Sequence, residues 1–517
     1  MTRYQMTTIV TVVLSAINGP LQAVPTVYKI SDSVVNPEAL TFPFGSLYGD
    51  AINGLSFQQE AVMSHNGWQY VVYYNGQRRL CLSRRQLPDG PWETIVFTDY
   101  YFSGTNAHDV AVMGICPNDG TIHLAFDHHG DTLRYRISQP GAASEPTEIT
   151  WSSALFGSVR NWLERPDKAV TQVTYPRFFQ TADGNMKLAY RYGGSGAGDD
   201  MLVDYDGTTG FWSDTRMVIH RDGVFTDSLG TSYNRCAYPN GWHCAPDGTI
   251  HVTWVWRENA TVGANHGLQY SLSRDDGWTW VNGSHSGIRV DLTGTTPQTL
   301  LYLIRTIHQD NIIARLAGQA TSDERITLNS PGVTAVEIDR YYGLMNQQTQ
   351  TIDPQGRIHA VMWHCTDETY DDARSLGYTD MGRWGPAIAR RYHHYWRDHD
   401  GTWRHFELSP VAGSRPKLFF RENGDAILIY QSCRDPMALG QDIYFVNGDL
   451  TVCAATAASG WTDWRLVHVE EGPFINEMLG DAHRLAADGI LSVMVQETPA
   501  VSGAPTVLRI VDLALAD

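Results

Sequence analysis

Positive charge is scarce in this chain: 38 Lys and Arg stand against 56 Asp and Glu, a formal net charge of −18. So acidic a protein excludes nucleic acid as the main partner, because phosphate binding needs a basic footprint. It would also repel a polyanionic polysaccharide globally, so such a ligand requires a locally basic groove. Long apolar runs are missing too. After residue 23 no stretch approaches the ~20 apolar residues of a membrane helix, which excludes insertion by helices. Cysteine is thin, with seven thiols (Cys81, Cys116, Cys236, Cys244, Cys365, Cys433 and Cys453) and no CxxC pair. A large β domain needs no disulfide framework, so these read as buried thiols or single metal ligands. Stretches with helical periodicity are few.

What is abundant points to strands and turns: Gly 47, Trp 16 and Tyr 25 in 517 residues that are 42% hydrophobic. A polar turn followed by an apolar strand recurs along the chain. The copies are HNGWQYVVYY (65–74), NDGTIHLAFD (118–127), ADGNMKLAYR (182–191), PDGTIHVTWV (246–255), PQGRIHAVMW (354–363), ENGDAILIYQ (422–431) and ADGILSVMVQ (487–496). Their turn glycines are Gly67, Gly120, Gly184, Gly248, Gly356, Gly424 and Gly489, mostly about 65 residues apart, as suits propeller blades. Length alone would suggest two or three domains, but a closed propeller is one domain however many blades it has. The expected class is all-β: a seven-bladed β-propeller of four-stranded antiparallel blades over residues 24–517. The longer interval from Gly248 to Gly356 is either one blade with an insertion or a blade whose turn has decayed. Residues 1–23 read as a secretory signal: Arg3, then the short apolar core IVTVVLSAI (9–17), then Leu21-Gln22-Ala23 as a cleavage site. A secreted protein is expected.

Around the second copy, GTNAHDVAVMGICPNDGTIHLAFDHHGDTLRYR (104–136) holds an Asp119-Gly120 turn between two apolar runs, a strong hairpin signal. An antiparallel hairpin brings His108 and the His128/His129 pair to one end of a small sheet. Strand alternation puts those two histidines on opposite faces, so only one of them joins a common site. The next copy places Tyr175 before its turn and Arg191 after it. Superposed blades bring Tyr175 level with His108 and Arg191 level with His128. Glycoside hydrolysis ordinarily wants two carboxylates, and none stands out in these hairpins. His, Tyr and Arg suit proton abstraction beside a carboxylate instead. A His or an Arg-depressed tyrosinate takes the proton, a Tyr or His protonates the leaving oxygen, and Arg191 offsets the enediolate charge.

Elsewhere, SRDDGWTW (273–280) fits the Asp-box pattern Ser-x-Asp-x-Gly-x-Thr-Trp. Asp275 should accept backbone N–H bonds, Gly277 take positive φ, and Trp280 pack beneath. Residues 24–60 should supply a closing strand. Residues 296–316 are the best helix or irregular-insertion candidate. ARRYHHYWRDHDGTWRH (389–405) reads either as a strand pair or as a basic, aromatic wall for an anionic sugar chain.

The segments NAHDVAVMGICPNDGTIHLAFDHHG (106–130), TYPRFFQTADGNMKLAYRYGGSG (174–196), NGWHCAPDGTIHVTWVWRE (240–258) and NHGLQYSLSRDDGWTW (265–280) resemble the BNR-type seven-bladed propellers that include ulvan lyases. That resemblance implies β-elimination at a uronate 4-position in a sulfated polysaccharide, leaving an unsaturated uronate. It implies His108 and Tyr175 as base and acid, in an order left open, with Arg191 and His128 as carboxylate binders. His129, Arg177 and Tyr192 are further substrate-binding candidates. The resemblance also suggests structural metal and no cofactor for the chemistry. For zinc the soft ligands are His243, Cys244, His266 and Cys365, with His364 and Cys433 in reserve. For calcium they are Asp199 and Asp200. The expected partner is an anionic algal-type polysaccharide, and the chain is expected to be a monomer. Two rivals stand beside this reading: a sialidase-like glycosidase, prompted by the Asp-box, and a sugar-binding propeller without chemistry.

Overall fold

Each repeat of turn and strand becomes the inner half of a blade. The computed structural model describes residues 24–46, 48–282, 325–330, 332–377, 387–433 and 447–516. The expected secretory signal, residues 1–23, and the helix or irregular-insertion candidate, residues 296–316, lie outside the described residues. Seven antiparallel sheets follow one another around a central channel, a seven-bladed β-propeller.

The first blade is Val62–His65, Trp68–Tyr74, Leu80–Gln86 and Glu93–Val96. The second is Ala111–Ile115, Ile122–Phe126 and Tyr135–Ile137, its outer edge completed by bridges from Tyr135 to Arg160 and Ser138 to Phe156. The third comprises Val173–Gln180, Met186–Gly194 and Ala197–Asp206, with Phe211–Trp212 and Arg216–Ile219 outside them. The fourth comprises Cys236–Cys244, Ile250–Arg257, Asn265–Ser273 and Val281–Asn282. The fifth runs Thr349–Ile352, Ile358–His364, Arg391–Arg397 and Trp403–Val411, and the sixth Lys417–Phe420, Ala426–Gln431, Gly448–Ala455 and Arg465–Phe474. In the seventh, Leu479–Gly480, Ile490–Gln496 and Thr506–Ala516 are joined at the edge by Thr26–Ala39, the closing strand anticipated from residues 24–60.

All seven turn glycines lie between the first and second strands of their blades, with φ from 66° to 86°. That left-handed backbone is what a side chain resists. The stretch between Gly248 and Gly356 holds no extra blade among the described residues; Thr334–Val336 returns to pair with Asn265–Ser273, so it is one blade with an insertion. The inner strands lie between neighbouring blades and are buried on both faces, which is why Ile250–Arg257 reads as a nearly continuous apolar run.

The Asp-box behaves as its sequence requires. Asp275 accepts from the Thr279 backbone N–H (2.8 Å) and hydroxyl (2.6 Å), Gly277 has φ 83°, and Trp280 is buried edge-on against Trp242. Residues 389–405 do not form an exposed basic wall. Tyr392, His393, His394, Tyr395 and Trp396 are buried in the third strand of blade five, so the strand-pair reading holds.

Candidate active site

At the end of the propeller opposite the glycine turns, first strands begin and second strands end. There blade two lends a strand to blade three. After Ile122–Phe126 the chain turns through Asp127 (φ 63°), and His129–Asp131 pairs with Val173 and Thr174. This crossover sets the two histidines apart as alternation demanded, and it decides between them. His129 faces the site. Its ring stacks on His108 with centroids 4.4 Å apart and 19° between planes. His128 points into the blade, where its Nε2 accepts the Arg134 backbone N–H at 2.7 Å and burial pushes its pKa down to about 3. The geometry therefore does not bring His128 to Arg191, as the carboxylate-binder expectation required; the Arg191 charge acts on His129 instead.

Tyr175 sits on a β-bulge. The register of Val173–Gln180 shifts between Thr174 and Arg177, and Tyr175 has φ 53°, rare for a bulky residue. Pro176 keeps its predecessor out of the right-handed helical region, and the bulge re-aims the phenol towards His108, with ring centroids 5.7 Å apart. A Tyr-Pro pair recurs one blade on as Tyr238-Pro239, and the two tyrosine rings lie 6.0 Å apart. Arg191 projects from the second strand beneath both, its guanidinium carbon 5.0 Å from the Tyr175 ring centroid and 4.9 Å from that of Tyr238. It needs the room left by Gly198, where a Cβ would come within 2.8 Å of Arg191 Cδ.

Other loops complete the cluster. Phe57 stacks on His108 at 4.9 Å and is backed by the Arg415 guanidinium, also 4.9 Å away. Tyr48, half exposed, stands edge-on to His108 at 4.2 Å and to His129 at 5.5 Å. The Asn106 side chain lies between the two imidazoles, 2.9 Å from His108 Nδ1 and 2.8 Å from His129 Nδ1. None of these four was singled out from the sequence. The Asn106-Ala107-His108 spacing and the repeated Tyr-Pro pair were the signals available.

The electrostatics divide the cluster by role. Burial, helped by His129 and by the positive charges of Arg415, Arg191 and Arg257, holds the His108 pKa well below the usual imidazole range. Burial and then Arg191 lower His129 to about 4. Both rings are neutral at physiological pH. Burial and then Tyr238 raise the Tyr175 pKa, outweighing the nearby arginines, so it is a phenol and not a tyrosinate. Arg191, although buried, is kept protonated by Tyr238, Cys236 and Tyr175. A neutral imidazole, a protonated phenol and a buried cation thus share one junction between blades.

Of the remaining candidates, Arg177 lines one pocket with Tyr175, Arg191, Asp200 and Tyr238, and its two terminal nitrogens are unpartnered among the described residues; burial lowers its pKa to about 10. Tyr192 alternates away from Arg191, its hydroxyl accepting from Gln172 Nε2 at 3.0 Å. The proposed zinc set does not converge. In blade four, His243 pairs with His251 at the turn end, whereas His266 pairs with Trp256 near the other end. Five residues along a strand separate those levels by roughly 17 Å. His266 is held by Glu258 at 2.9 Å, Cys244 Sγ approaches the Ala245 carbonyl, and Cys365 is buried with Tyr370, Ala373 and Ala389. His364 stacks on His393, and its Nε2 meets the Tyr395 hydroxyl. Among the described residues no group of three or more His, Cys, Asp and Glu is arranged to hold a metal ion. The calcium pair fits no better. Asp199 is taken up by Arg221, and burial raises Asp200 to about 8, where it is largely protonated at neutral pH.

Fold and site define a seven-bladed β-propeller carrying a His–Tyr–Arg cluster where blade two meets blade three. A BNR repeat-containing family model matches residues 68–410, well over half the chain, and the chain belongs to that family. The long-isoform ulvan lyase of Alteromonas sp. (strain LOR) is 27% identical over 194 residues, 31% of this chain and 19% of that protein. The short isoform from the same strain is 24% identical over 219 residues, covering 35% and 41%. The matched region therefore spans well under half the length of these curated relatives. Among solved structures, the polysaccharide lyase Uly1 is similar with TM-score 0.63 and 17% identity, covering 95% of this chain and 100% of its own. An ulvan lyase bound to -[GlcA(1-4)Rha3S]- gives 0.59 and 12%, covering 92% and 95%. These last two likenesses establish the fold.

Proposed function

We propose that this protein is a secreted polysaccharide lyase that cleaves an ulvan-type sulfated, uronate-containing chain by β-elimination. The observation that carries this reading is the neutral His108 packed against a phenolic Tyr175 over the buried Arg191 cation. His108 takes the C5 proton of the uronate. Arg191 holds the carboxylate and offsets the charge that spreads onto it as the enediolate forms. Tyr175 then gives its proton to the C4 oxygen as the C4–O bond breaks and the C4–C5 double bond forms. The reading of His108 as base and Tyr175 as acid is supported by their resting protonation states, since burial keeps the imidazole neutral and the phenol protonated. Relatives named as ulvan lyases support the substrate class, and residues 1–23 fit the export such a substrate requires.

The test is incubation with ulvan, glycosaminoglycans, pectin and alginate, following the ultraviolet absorbance of an unsaturated uronate. A rise with one of them supports the lyase. New reducing ends without that absorbance would make the protein a hydrolase, and binding without either product a sugar-binding propeller.

A further inference from the structure

Asn106 contacts both imidazoles of the site, and its amide orientation is fixed by the backbone. The His108 backbone N–H, which can only donate, points at Asn106 Oδ1 from 3.0 Å. The atom there must be the amide oxygen, in the turn geometry that Asn commonly adopts with the residue two positions on. The same oxygen lies 2.9 Å from His108 Nδ1, so that nitrogen must carry a proton. The other end of the amide is then the NH2 group, and it lies 2.8 Å from His129 Nδ1, which must be the bare, accepting nitrogen. One side chain thereby imposes opposite tautomers on two rings stacked 4.4 Å apart. Among the described residues the Nε2 atom of each ring makes no hydrogen bond, and neither is one of the buried unpartnered polar atoms.

We infer that Asn106 is a positioning residue that sorts the two histidines, leaving His108 Nε2 as a free lone pair and His129 Nε2–H as a donor. This rests on the lyase reading and deepens it. The ring that abstracts the C5 proton is set in the accepting tautomer before substrate arrives. Its neighbour is set to donate a hydrogen bond to a substrate oxygen and cannot compete as base. Because both amide groups are already engaged by imidazoles, Asn106 acts through them and not on the substrate.

Nitrogen-15 NMR of histidine-labelled full-length protein reads the tautomers without substrate, with His108→Ala and His129→Ala assigning the signals. The expected result is Nδ1–H at His108 and Nε2–H at His129. The reverse pattern would overturn the inference, as would spectra unchanged by Asn106→Ala in a folded variant. On a cleaved polysaccharide, Asn106→Ala should lower kcat by about tenfold or more, less than the 10²–10⁴ a general base itself contributes, with KM little changed. Asn106→Asp, which still accepts both His108 protons but cannot donate to His129, should recover part of that loss. Equal kcat in Asn106→Ala and the parent would also refute it. If His108→Ala cleaves as fast as the parent, the assignment of His108 as base fails, while the tautomer spectra still decide whether Asn106 sorts the two rings.

Discussion

Arg191 lies with its guanidinium carbon 5.0 Å from the ring centroid of Tyr175, although the two residues sit on different strands of blade three and only Tyr175 is on the bulge. The cation is thus held under the phenol whose proton the proposed elimination needs. Its field eases ionisation of Tyr175 as the leaving oxygen takes the proton, while burial keeps the phenol protonated until then.

Replacing His108 by Ala or Tyr175 by Phe removes a proton-transfer group from an otherwise intact blade. Each should lower kcat by roughly 10²–10⁴-fold on a polysaccharide the parent cleaves. Rates within a few-fold of the parent in both variants would place the chemistry elsewhere.

Arg191→Ala removes the countercharge for the enediolate and should cost at least as much in kcat. Arg191→Lys should restore only part of it, because an ammonium cannot fork onto a carboxylate. Full activity of the lysine variant would reduce the role of Arg191 to a point charge.

The histidines make stability depend on pH in one direction. His129 has a folded pKa of about 4 against an unfolded value near 6.5, so between these values the unfolded chain binds the extra proton. Its neutral form favours the fold fully above about pH 6.5, and that advantage is lost as pH falls towards 4. Tm should therefore drop over this window, and His129→Gln should flatten the drop. The lowered His108 pKa likewise predicts kcat/KM without an acid limb near pH 6.5. An inflection there would show His108 to titrate normally.

Tyr48 touches both imidazoles edge-on while half its surface faces solvent. It offers a ring against which a sugar can pack, so Tyr48→Ala should raise KM more than it lowers kcat. The opposite split, measured in initial rates, would make it part of the chemistry.

Asp275→Ala breaks the Asp-box turn, which holds two bonds to Thr279 and one from Ser273. At about 1 kcal/mol per bond the fold should lose roughly 2–3 kcal/mol. Turnover of the folded fraction should not change, and thermal unfolding beside active-site titration separates the two effects.

The blade count was legible because each inner hairpin needs a residue at positive φ, and glycine supplies it visibly seven times. The convergence of His108, Tyr175 and Arg191 followed from superposing two such hairpins. Alternation reduced His128 and His129 to a choice, but the choice itself rests on a strand that leaves blade two for blade three, and no periodicity announces such a crossover. The bulge at Tyr175 was equally silent, since a tyrosine with positive φ runs against the usual preference. Phe57 and Arg415 come from distant loops that only ring closure brings together. The zinc set failed for a related reason: His243 and His266 are near in sequence but belong to different ends of one blade.

The edge strand Thr26–Ala39 pairs with Thr506–Ala516, from Thr26 opposite Ala516 to Ala39 opposite Thr506. The earliest-made strand of the propeller therefore waits for one of the last before it has a neighbour. Contacts of such sequence separation slow folding, because the intervening chain must be gathered before they give any return. A ribosome-bound chain can build inner blades one after another, yet its ring stays open until the Thr506–Ala516 strand is made. The face that carries the His108 cluster is completed by the same closing event that completes the circle, so a chain shortened before Thr506 would keep its His108 hairpin and still lack a closed ring around it.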